Sequence, residues 1–247
     1  MPALNAIKSA IADGRKIRGL HLTFAQASII EVLALAGIDY VYLDGEHGAF
    51  EWRDIEYACV AAERHGITPI ARVPDPSHAT IVHFLDRGVK GIVVPHVDSV
   101  DDARAVIDST YFAPVGHRSF GGNRPFFTAG IADMHRHLAE SNAEVCLSIM
   151  IETTGALSLA GEIAALPGID YMSFGLNDLA QSLGHAGETR HPDVVAAVDD
   201  ASRRIRAAGK PVREDFVTVG WINDIIMRGA EATFGPARNA ATGGAQV

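Results

Sequence analysis

The stretch Gly37–Asp44, GIDYVYLD, decides the fold class because its form recurs along the chain. Gly66–Val73 has the sequence GITPIARV, Gly88–Pro95 has GVKGIVVP, and Gly209–Val212 has GKPV. Each stretch begins with a glycine after a helical pattern and continues into a short apolar run. Glycine often ends an α-helix because it adopts the left-handed conformation without steric cost. Each stretch therefore predicts a helix end followed closely by a β-strand.

Eight short apolar segments are predicted to be strands, and helical patterns separate most of them. Most segments do not alternate cleanly between apolar and polar residues, which is typical of parallel strands buried on both faces. We expect a single domain over residues 1–247, a (β/α)8 TIM barrel rather than an open doubly wound sheet, with a short frayed C-terminal tail. The predicted strands are Ile17–Leu22, Ile38–Leu43, Ile67–Val73, Gly91–Val94, Val145–Ile151, Ile169–Phe174, Lys210–Arg213 and Glu231–Phe234.

Length and composition narrow the class of protein. The chain has 247 residues, the usual size of an α/β barrel. Its formal net charge of −9 argues against non-specific binding to nucleic acid, which needs clustered cations. Two cysteines cannot form a disulfide framework and suit a reducing compartment. The sequence has no signal-peptide pattern and no apolar run of 18 residues, so we expect a cytoplasmic protein without a membrane partner.

The connection between the fourth and fifth predicted strands is unusually long for an α/β protein. It contains the Gly-, Arg- and Phe-rich stretch Pro114–Phe127, PVGHRSFGGNRPFF. Functional loops of α/β barrels follow the carboxyl ends of strands. We therefore expect this stretch to lie at the functional face.

Polar side chains stand where several predicted strands end. Asp44 and His47 follow the second strand, Arg72 ends the third, Glu152 follows the fifth and Asp178 follows the sixth. Catalytic groups of α/β barrels lie at the carboxyl ends of strands, so these side chains are expected to share one face. Two further polar residues, Glu46 and His96, stand at strand ends without an assigned role.

The residue types at these strand ends suit a particular chemistry. The carboxylates of Glu152 and Asp178 could converge on a hard cation such as Mg²⁺ or Mn²⁺. His47 is placed to act as an acid or base, and Arg72 can hold a carboxylate or an oxyanion. Each residue also has a simpler interpretation. Glu152 and Arg72 could form structural ion pairs, Asp178 could cap a helix, and His47 could be a loop histidine.

Six motifs follow one another along the chain: YVYLDGEHGAFEW, PIARV, FLDRGVKGIVVPHV, FAPVGHRSFG, MIETTGA and FGLNDLAQSLG. Taken in this order, they resemble the metal-dependent class II pyruvate aldolases of the HpcH/HpaI family. The resemblance spans about Asn5 to Gly235. It implies a barrel of the phosphoenolpyruvate/pyruvate-domain type and an aldehyde-lyase that breaks or makes 4-hydroxy-2-oxo acids.

The resemblance also implies roles for individual residues. Glu152 and Asp178 would bind the divalent cation, which could be Mg²⁺, Mn²⁺ or Co²⁺. His47 would be the acid or base, and Arg72 would neutralise the enolate or carbonyl oxygen. Asp44 would organise the loop that carries His47.

Further implied roles concern the substrate and the assembly. Backbone amides around Gly175, Leu176 and Asn177 would hold the pyruvyl carboxylate, and Arg118 would border the entrance. Asp86 would pair with the catalytic histidine of a neighbouring subunit, which implies a homo-oligomer, a trimer or hexamer. No Schiff-base lysine is expected, because the chain has only four lysines and none stands at the predicted functional face.

Two departures from the family pattern lie close to these residues. Met150 stands where the family commonly has glutamine, two residues before the metal-binding glutamate, and His21 stands where a tryptophan is often found. Two alternative functions remain open at this point. One is an acyl-CoA lyase of the citryl- or malyl-CoA type, and the other is a barrel that binds a keto acid without turning it over.

Overall fold

The structure, a computed structural model, describes residues 5–24, 26–128 and 133–236. In these residues seven parallel strands form one curled sheet with the order β6-β5-β4-β3-β2-β1-β7. The chain is therefore an α/β protein. The strands are β1 (Ile17–Leu22), β2 (Tyr40–Asp44), β3 (Thr68–Arg72), β4 (Gly91–Val94), β5 (Cys146–Ile151), β6 (Tyr171–Phe174) and β7 (Val217–Trp221).

Helices connect the strands and return the chain to the edge of the sheet where the next strand begins. Positive φ angles at Gly37, Gly66, Gly88 and Gly209 confirm the helix ends that the repeated stretches predict. The helices are α1 (Ala6–Asp13), α2 (Ala27–Ala34), α3 (Trp52–Arg64), α4 (His78–Asp86), α5 (Val100–Thr110), α6 (Arg124–Thr128), α7 (Met134–Glu144), α8 (Thr154–Ser158), α9 (Ala160–Ala164), α10 (Leu176–Ser182), α11 (Pro192–Ala207), α12 (Arg213–Phe216) and α13 (Ile222–Phe234).

The first six predicted strands are confirmed to within two residues at each end, but the last two are wrong. Lys210–Arg213 contributes only an isolated bridge between Val212 and Met172 of β6, and Arg213 begins α12. Glu231–Phe234 is the last turn of α13, which suits its alanine and glutamate. The seventh strand is instead Val217–Trp221, which pairs in parallel with β1. The short helix α12 is all that separates it from the Val212 bridge.

Apolar side chains alternate between the two faces of the strands, as β2 shows. Tyr40 and Tyr42 point into the curled sheet, where they belong to one buried cluster with Ile70. Val41 and Leu43 belong to a second cluster, which includes buried residues of the helices. Both faces of the strands are thus buried, as the sequence predicts.

Helix α1 closes the end of the sheet at which the strands begin. Its residues Ile7 and Ala10 join the inner apolar cluster. Asn5 caps the helix by accepting a hydrogen bond from the Ile7 amide at 3.0 Å. Its amide nitrogen also donates to the carbonyl oxygens of Lys90 at 2.8 Å and Glu144 at 2.9 Å. These bonds fix α1 beneath the amino ends of β4 and β5.

The long connection between β4 and β5 lies at the amino ends of the strands, so its expected place at the functional face is wrong. Helix α5 returns from the carboxyl end of β4, and the stretch Pro114–Phe127 follows it. The Tyr111 hydroxyl donates to the carbonyl oxygen of Gly168, just before β6, at 2.6 Å. The length of this connection can be read from the sequence, but the end of the strands at which its loop lies cannot.

Two further expectations concern the C-terminal tail and membrane-spanning helices. The predicted frayed tail, residues 237–247, lies outside the described residues. Among the described helices, none combines the length and the apolar character that crossing a membrane requires.

Candidate active site

Asp44 and Arg72 form a bidentate ion pair where β2 and β3 end. They stand opposite each other in the register of the two strands. Arg72 donates from Nε to Asp44 Oδ1 at 3.0 Å and from Nη2 to Oδ2 at 2.6 Å. Burial alone would raise the pKa of Asp44, which is 2% exposed, but hydrogen bonds from His21 and Arg72 hold it well below its usual range. Asp44 is therefore ionised and holds the guanidinium in one orientation.

The loop after β2 is fastened to the same carboxylate. Asp44 Oδ1 accepts hydrogen bonds from the amides of Glu46 at 3.3 Å and His47 at 3.1 Å. The His47 side chain is 63% exposed, and its Nε2 lies 4.0 Å from Glu46 Oε2. His47 thus stands at the solvent-facing side of the site, where it can exchange protons.

A chain of polar contacts runs from Arg72 across the strand ends to Glu152. Arg72 Nη1 lies 2.9 Å from Glu46 Oε2, and Glu46 Oε1 lies 3.1 Å from His96 Nε2. The His96 backbone amide donates to Glu152 Oε1 at 2.6 Å. The contacts connect the carboxyl ends of β2, β3, β4 and β5 in one continuous row.

Glu152 is a buried carboxylate with one oxygen directed at Gly175. The residue is 2% exposed, and a Cβ atom added to Gly175 would lie 2.9 Å from Glu152 Oε2. Burial raises the pKa of Glu152, and the nearby negative charges of Glu46 and Asp178 raise it further. A buried carboxylate surrounded by other carboxylates is costly unless a cation offsets the charge.

These donors fit a divalent cation. Glu152 supplies a buried oxygen, and Asp178, in the first turn of α10, supplies an exposed carboxylate whose charge acts on Glu152. Carboxylate oxygens are the ligands that Mg²⁺ and Mn²⁺ prefer. The missing side chain of Gly175 leaves space beside Glu152 Oε2, where a bound ion would need it.

The turn between β6 and α10 carries the predicted carboxylate-binding amides, and its three residues differ in what they offer. The Gly175 amide donates to the carbonyl oxygen of Ile151 at 3.0 Å, so it is not free for a substrate. Leu176 and Asn177 begin α10, and the first amides of a helix have no acceptor within the helix. Their N–H groups can therefore hold an anion.

His21 and Trp221 complete the far side of the ion pair. His21 Nε2 lies 3.2 Å from Asp44 Oδ2, and its ring stacks on Trp221 with centroids 3.7 Å apart and planes inclined by 16°. Burial lowers the pKa of His21 despite the neighbouring Asp44. Sequence reasoning noted His21 only as a departure from the family. Its partner Trp221 was missed because the last strand was placed elsewhere.

Asp86 and Arg118 lie at the opposite end of the molecule from this site, so the expected place of Arg118 at the entrance is wrong within one chain. Asp86 ends α4. Four residues later, the backbone amide of Lys90 donates to the carbonyl oxygen of Pro69 near the start of β3, so this end of α4 lies at the amino ends of the strands. Arg118 Nη2 donates to Asp86 Oδ1 at 2.9 Å, and the Asn123 side chain donates to the same oxygen at 2.7 Å. Neither Asp86 nor Arg118 reaches the strand ends that carry Glu152.

A second cluster of possible metal ligands lies outside the site, at the start of α11. His185 Nε2 lies 3.2 Å and His191 Nδ1 lies 3.7 Å from Asp193 Oδ2. The two imidazoles are stacked, with centroids 3.6 Å apart and planes inclined by 15°. The lone pairs of nearly parallel rings do not converge on one ion. This arrangement therefore supports an ion-paired helix start rather than a metal site.

Comparison with known proteins decides the family. The model of the HpcH/HpaI aldolase/citrate lyase family matches residues 18–223. The chain belongs to the HpcH/HpaI family. Its family membership agrees with the resemblance that the motifs carry.

Individual members of the family are similar over most of their length. The 4-hydroxy-2-oxovalerate aldolase of Rhodococcus jostii is 37% identical over 84% of this chain and 80% of its own length. The hydroxypyruvate/pyruvate aldolase of Cupriavidus necator is 37% identical over 85% of this chain and 78% of its own length. A family member of known structure from Burkholderia cenocepacia has a TM-score of 0.82 at 28% identity, covering 93% of this chain and 97% of that one. The chain is an enzyme of the aldolase class, a lyase.

Proposed function

We propose that this chain is a divalent-metal-dependent aldolase that cleaves or forms 4-hydroxy-2-oxo acids. The observation that carries the proposal is a pair of carboxylates: Glu152, whose Oε2 faces the space at Gly175, and Asp178, in the first turn of the helix that follows Gly175. Arg72 stands in the same row of strand ends, connected to Glu152 through Glu46 and His96. The names of the Rhodococcus and Cupriavidus relatives support a 2-oxo acid as the substrate. We propose that the curled sheet is a variant of the (β/α)8 TIM barrel, in which the Val212 bridge stands for one strand.

The residues of the chain divide the reaction between them. A cation held by Glu152 and Asp178, Mg²⁺, Mn²⁺ or Co²⁺, would supply Lewis-acid polarisation of the 2-oxo group. The amides of Leu176 and Asn177 hold the carboxylate of the substrate at the start of α10. The ion pair with Asp44 fixes Arg72, so that its remaining N–H groups can stabilise the enolate oxygen.

Proton transfer falls to His47. When the bond between C3 and C4 breaks, the 4-hydroxyl group loses its proton, an aldehyde leaves, and the electron pair remains on the enolate. His47 is exposed at the site and fastened through its backbone to Asp44, so it can take that proton directly or through a water molecule. The enolate is then protonated at C3 to give the free 2-oxo acid.

The positions of the lysines support a mechanism without a Schiff base. Lys8 and Lys210 donate to the carbonyl oxygens of Val145 and Ile169, which precede β5 and β6. Lys16 and Lys90 directly precede β1 and β4. All four therefore lie near the amino ends of the strands, away from Glu152.

The acyl-CoA lyase alternative finds less support. A CoA ester needs cations to bind its phosphates, and the arginines that the sequence offers for this are Arg118, Arg124 and Arg213. Arg118 is paired with Asp86, Arg124 with Glu63, and Arg213 with Glu214, at 2.9, 2.6 and 2.6 Å. Arg118 and Arg124 also belong to the connection between β4 and β5 that lies at the amino ends of the strands, away from Glu152.

We propose that the working enzyme is a homo-oligomer, a trimer or hexamer, since Asp86 and Arg118 lie too far from Glu152 to act on it within one chain. In an assembly that packs the amino ends of the strands of one copy against the carboxyl ends of the strands of another, both residues would reach a neighbour's site. Asp86 would then contact the catalytic histidine of that neighbour, and Arg118 would border the entrance.

Metal removal tests the proposed function. Retro-aldol release of pyruvate from 4-hydroxy-2-oxovalerate should stop in EDTA and return with Mg²⁺, Mn²⁺ or Co²⁺. The reason is that the two carboxylates cannot polarise the 2-oxo group of the substrate without a bound cation. Pyruvate can be followed with a coupled dehydrogenase. The Glu152→Gln variant should show no activity with or without added metal. Full activity in EDTA would contradict the proposal.

A further inference from the structure

His96 has an unusual backbone conformation at the end of β4. Its φ angle is +57°, and no other non-glycine residue among those described has a positive φ. Left-handed backbone is disfavoured for residues with a side chain and is retained where the surroundings hold it. The conformation therefore points to a role for the contacts that His96 makes.

Those contacts converge on one oxygen of Glu152. The backbone amide of His96 donates to Oε1 at 2.6 Å, and the ring atom Nδ1 lies 3.0 Å from the same oxygen. The other oxygen, Oε2, faces the space at Gly175. His96 thus contacts the oxygen of the carboxylate that does not face Gly175.

The opposite side of the His96 ring is held in turn. Its Nε2 lies 3.1 Å from Glu46 Oε1, and Glu46 Oε2 lies 2.9 Å from Arg72 Nη1. The ring is half-exposed, and its two nitrogens contact Glu152 on one side and Glu46 on the other, so these two contacts set its orientation. Through His96 and Glu46, the orientation of Glu152 is coupled to that of Arg72, the residue that would stabilise the enolate.

We propose that His96 is a positioning residue for Glu152. By holding Oε1 through its left-handed backbone amide and its ring, it turns Oε2 toward the place where a divalent cation would bind. This inference rests on the proposed function, because it concerns the same pair of carboxylates. Hydrogen-bond partners behind a metal ligand commonly change metal affinity by about 10- to 100-fold when they are removed.

Two substitutions separate the backbone contact from the ring contact. His96→Gly keeps the amide and tolerates the positive φ but removes the ring. His96→Val removes the ring and disfavours the left-handed backbone, because it is β-branched. We expect the valine variant to bind Mn²⁺ about 10- to 100-fold more weakly than the wild type does. The glycine variant, which keeps the backbone contact, should lose less affinity than the valine variant. Binding of Mn²⁺ alone is measured by calorimetry and by the electron paramagnetic resonance signal of the free ion.

The controls make failure of the two proposals distinguishable. His117→Val alters another exposed histidine that contacts a carboxylate, Asp108, at the opposite end of the molecule, and should bind Mn²⁺ as the wild type does. Glu152→Gln should abolish the binding. Circular dichroism and thermal unfolding confirm that each variant is folded.

Three outcomes are decisive. Weakened binding in His96→Val, with His117→Val unchanged, supports the positioning role. If Glu152→Gln loses Mn²⁺ while His96→Val binds it as the wild type does, the positioning role is overturned and the metal site stands. If the wild type binds no Mn²⁺, or Glu152→Gln binds it equally well, both proposals are overturned.

Discussion

At the scale of single residues, Asp44 collects more of the site's contacts than any neighbour described above. It accepts hydrogen bonds from Arg72 and from the backbone amides of Glu46 and His47, and it contacts His21. One buried carboxylate therefore orients both Arg72, the residue that we propose stabilises the enolate, and the backbone of His47, the proposed proton carrier. This dependence makes it the most informative single residue to change.

Asp44→Asn should destabilise the protein by about 3 kcal/mol, because it removes the carboxylate that holds the largely buried Arg72 with two hydrogen bonds and leaves Glu46 as its charge partner. Activity should fall with it, since the guanidinium is no longer held. Urea denaturation and pyruvate release measure the two effects. Asp200→Asn removes an exposed aspartate–arginine pair with Arg204 and should cost no more than about 0.5 kcal/mol. Equal stability losses in the two variants would contradict the role of Asp44.

The same ion pair predicts the pH dependence of that difference. The pKa of Asp44 is lower in the folded protein than its unfolded value of roughly 3.9. Its contribution to stability is therefore complete above the unfolded pKa and is lost only as the pH falls through the lower folded pKa. The stability gap between wild type and Asp44→Asn should persist from pH 8 to pH 5. A gap that disappears within this range would show that another group is responsible.

At the scale of elements, the turn from β6 into α10 shapes the space beside Glu152 Oε2, where we propose that a cation binds. Gly175 is the residue before α10, and its φ of −89° is open to any amino acid. Its lack of a side chain matters for space and not for backbone freedom. An added Cβ would meet Glu152 Oε2 at 2.9 Å and Met150 Sδ at 3.1 Å.

Gly175→Ala should therefore lower Mn²⁺ affinity and activity by about 10- to 100-fold while leaving the fold intact, because Met150 can move but the metal ligand cannot. Gly155→Ala is the matched control. It lies in α8, after the neighbouring strand β5, and its added Cβ would meet only ordinary contacts at 3.6 and 3.7 Å. Titration of Mn²⁺ into both variants measures the difference, and equal affinities would contradict the assigned role of Gly175.

At the scale of the whole molecule, the residues assigned to one reaction lie at two ends of the chain's fold. Glu152 and Arg72 stand at the carboxyl ends of the strands. Asp86 is the last residue of α4, near the amino ends of the strands, and is hydrogen-bonded to Arg118 and Asn123. If Asp86 acts on a neighbour, each active site of the oligomer contains parts of two copies.

Mixing two inactive variants tests this sharing of sites. Asp86→Asn alone and Glu152→Gln alone should each have little activity. After joint unfolding and refolding, mixed oligomers should regain part of it, because some sites receive Asp86 from one copy and Glu152 from the other. Pyruvate release before and after mixing is the measurement. No recovery in oligomers shown to be mixed would place Asp86 in a structural role within its own chain.

The sequence by itself determined the alternation of helices and strands, six of the seven strands and the strand ends at which Asp44, Arg72 and Glu152 stand. These features follow from local patterns, a glycine after a helix and an apolar run of strand length, that need no distant partner. Tertiary structure decided the rest. It placed the last strand at Val217–Trp221, because pairing with β1 and not local composition selects it.

It also placed Pro114–Phe127 at the amino ends of the strands, because α5 reverses the chain before that stretch begins. Likewise, only the packed strand ends bring the His96 amide to one oxygen of Glu152 and leave the other facing Gly175. Residue types at strand ends can be recognised from the sequence, since each follows its own strand. The contacts between them depend on residues as far apart as Glu46 and Glu152, and those meet only when the sheet has formed.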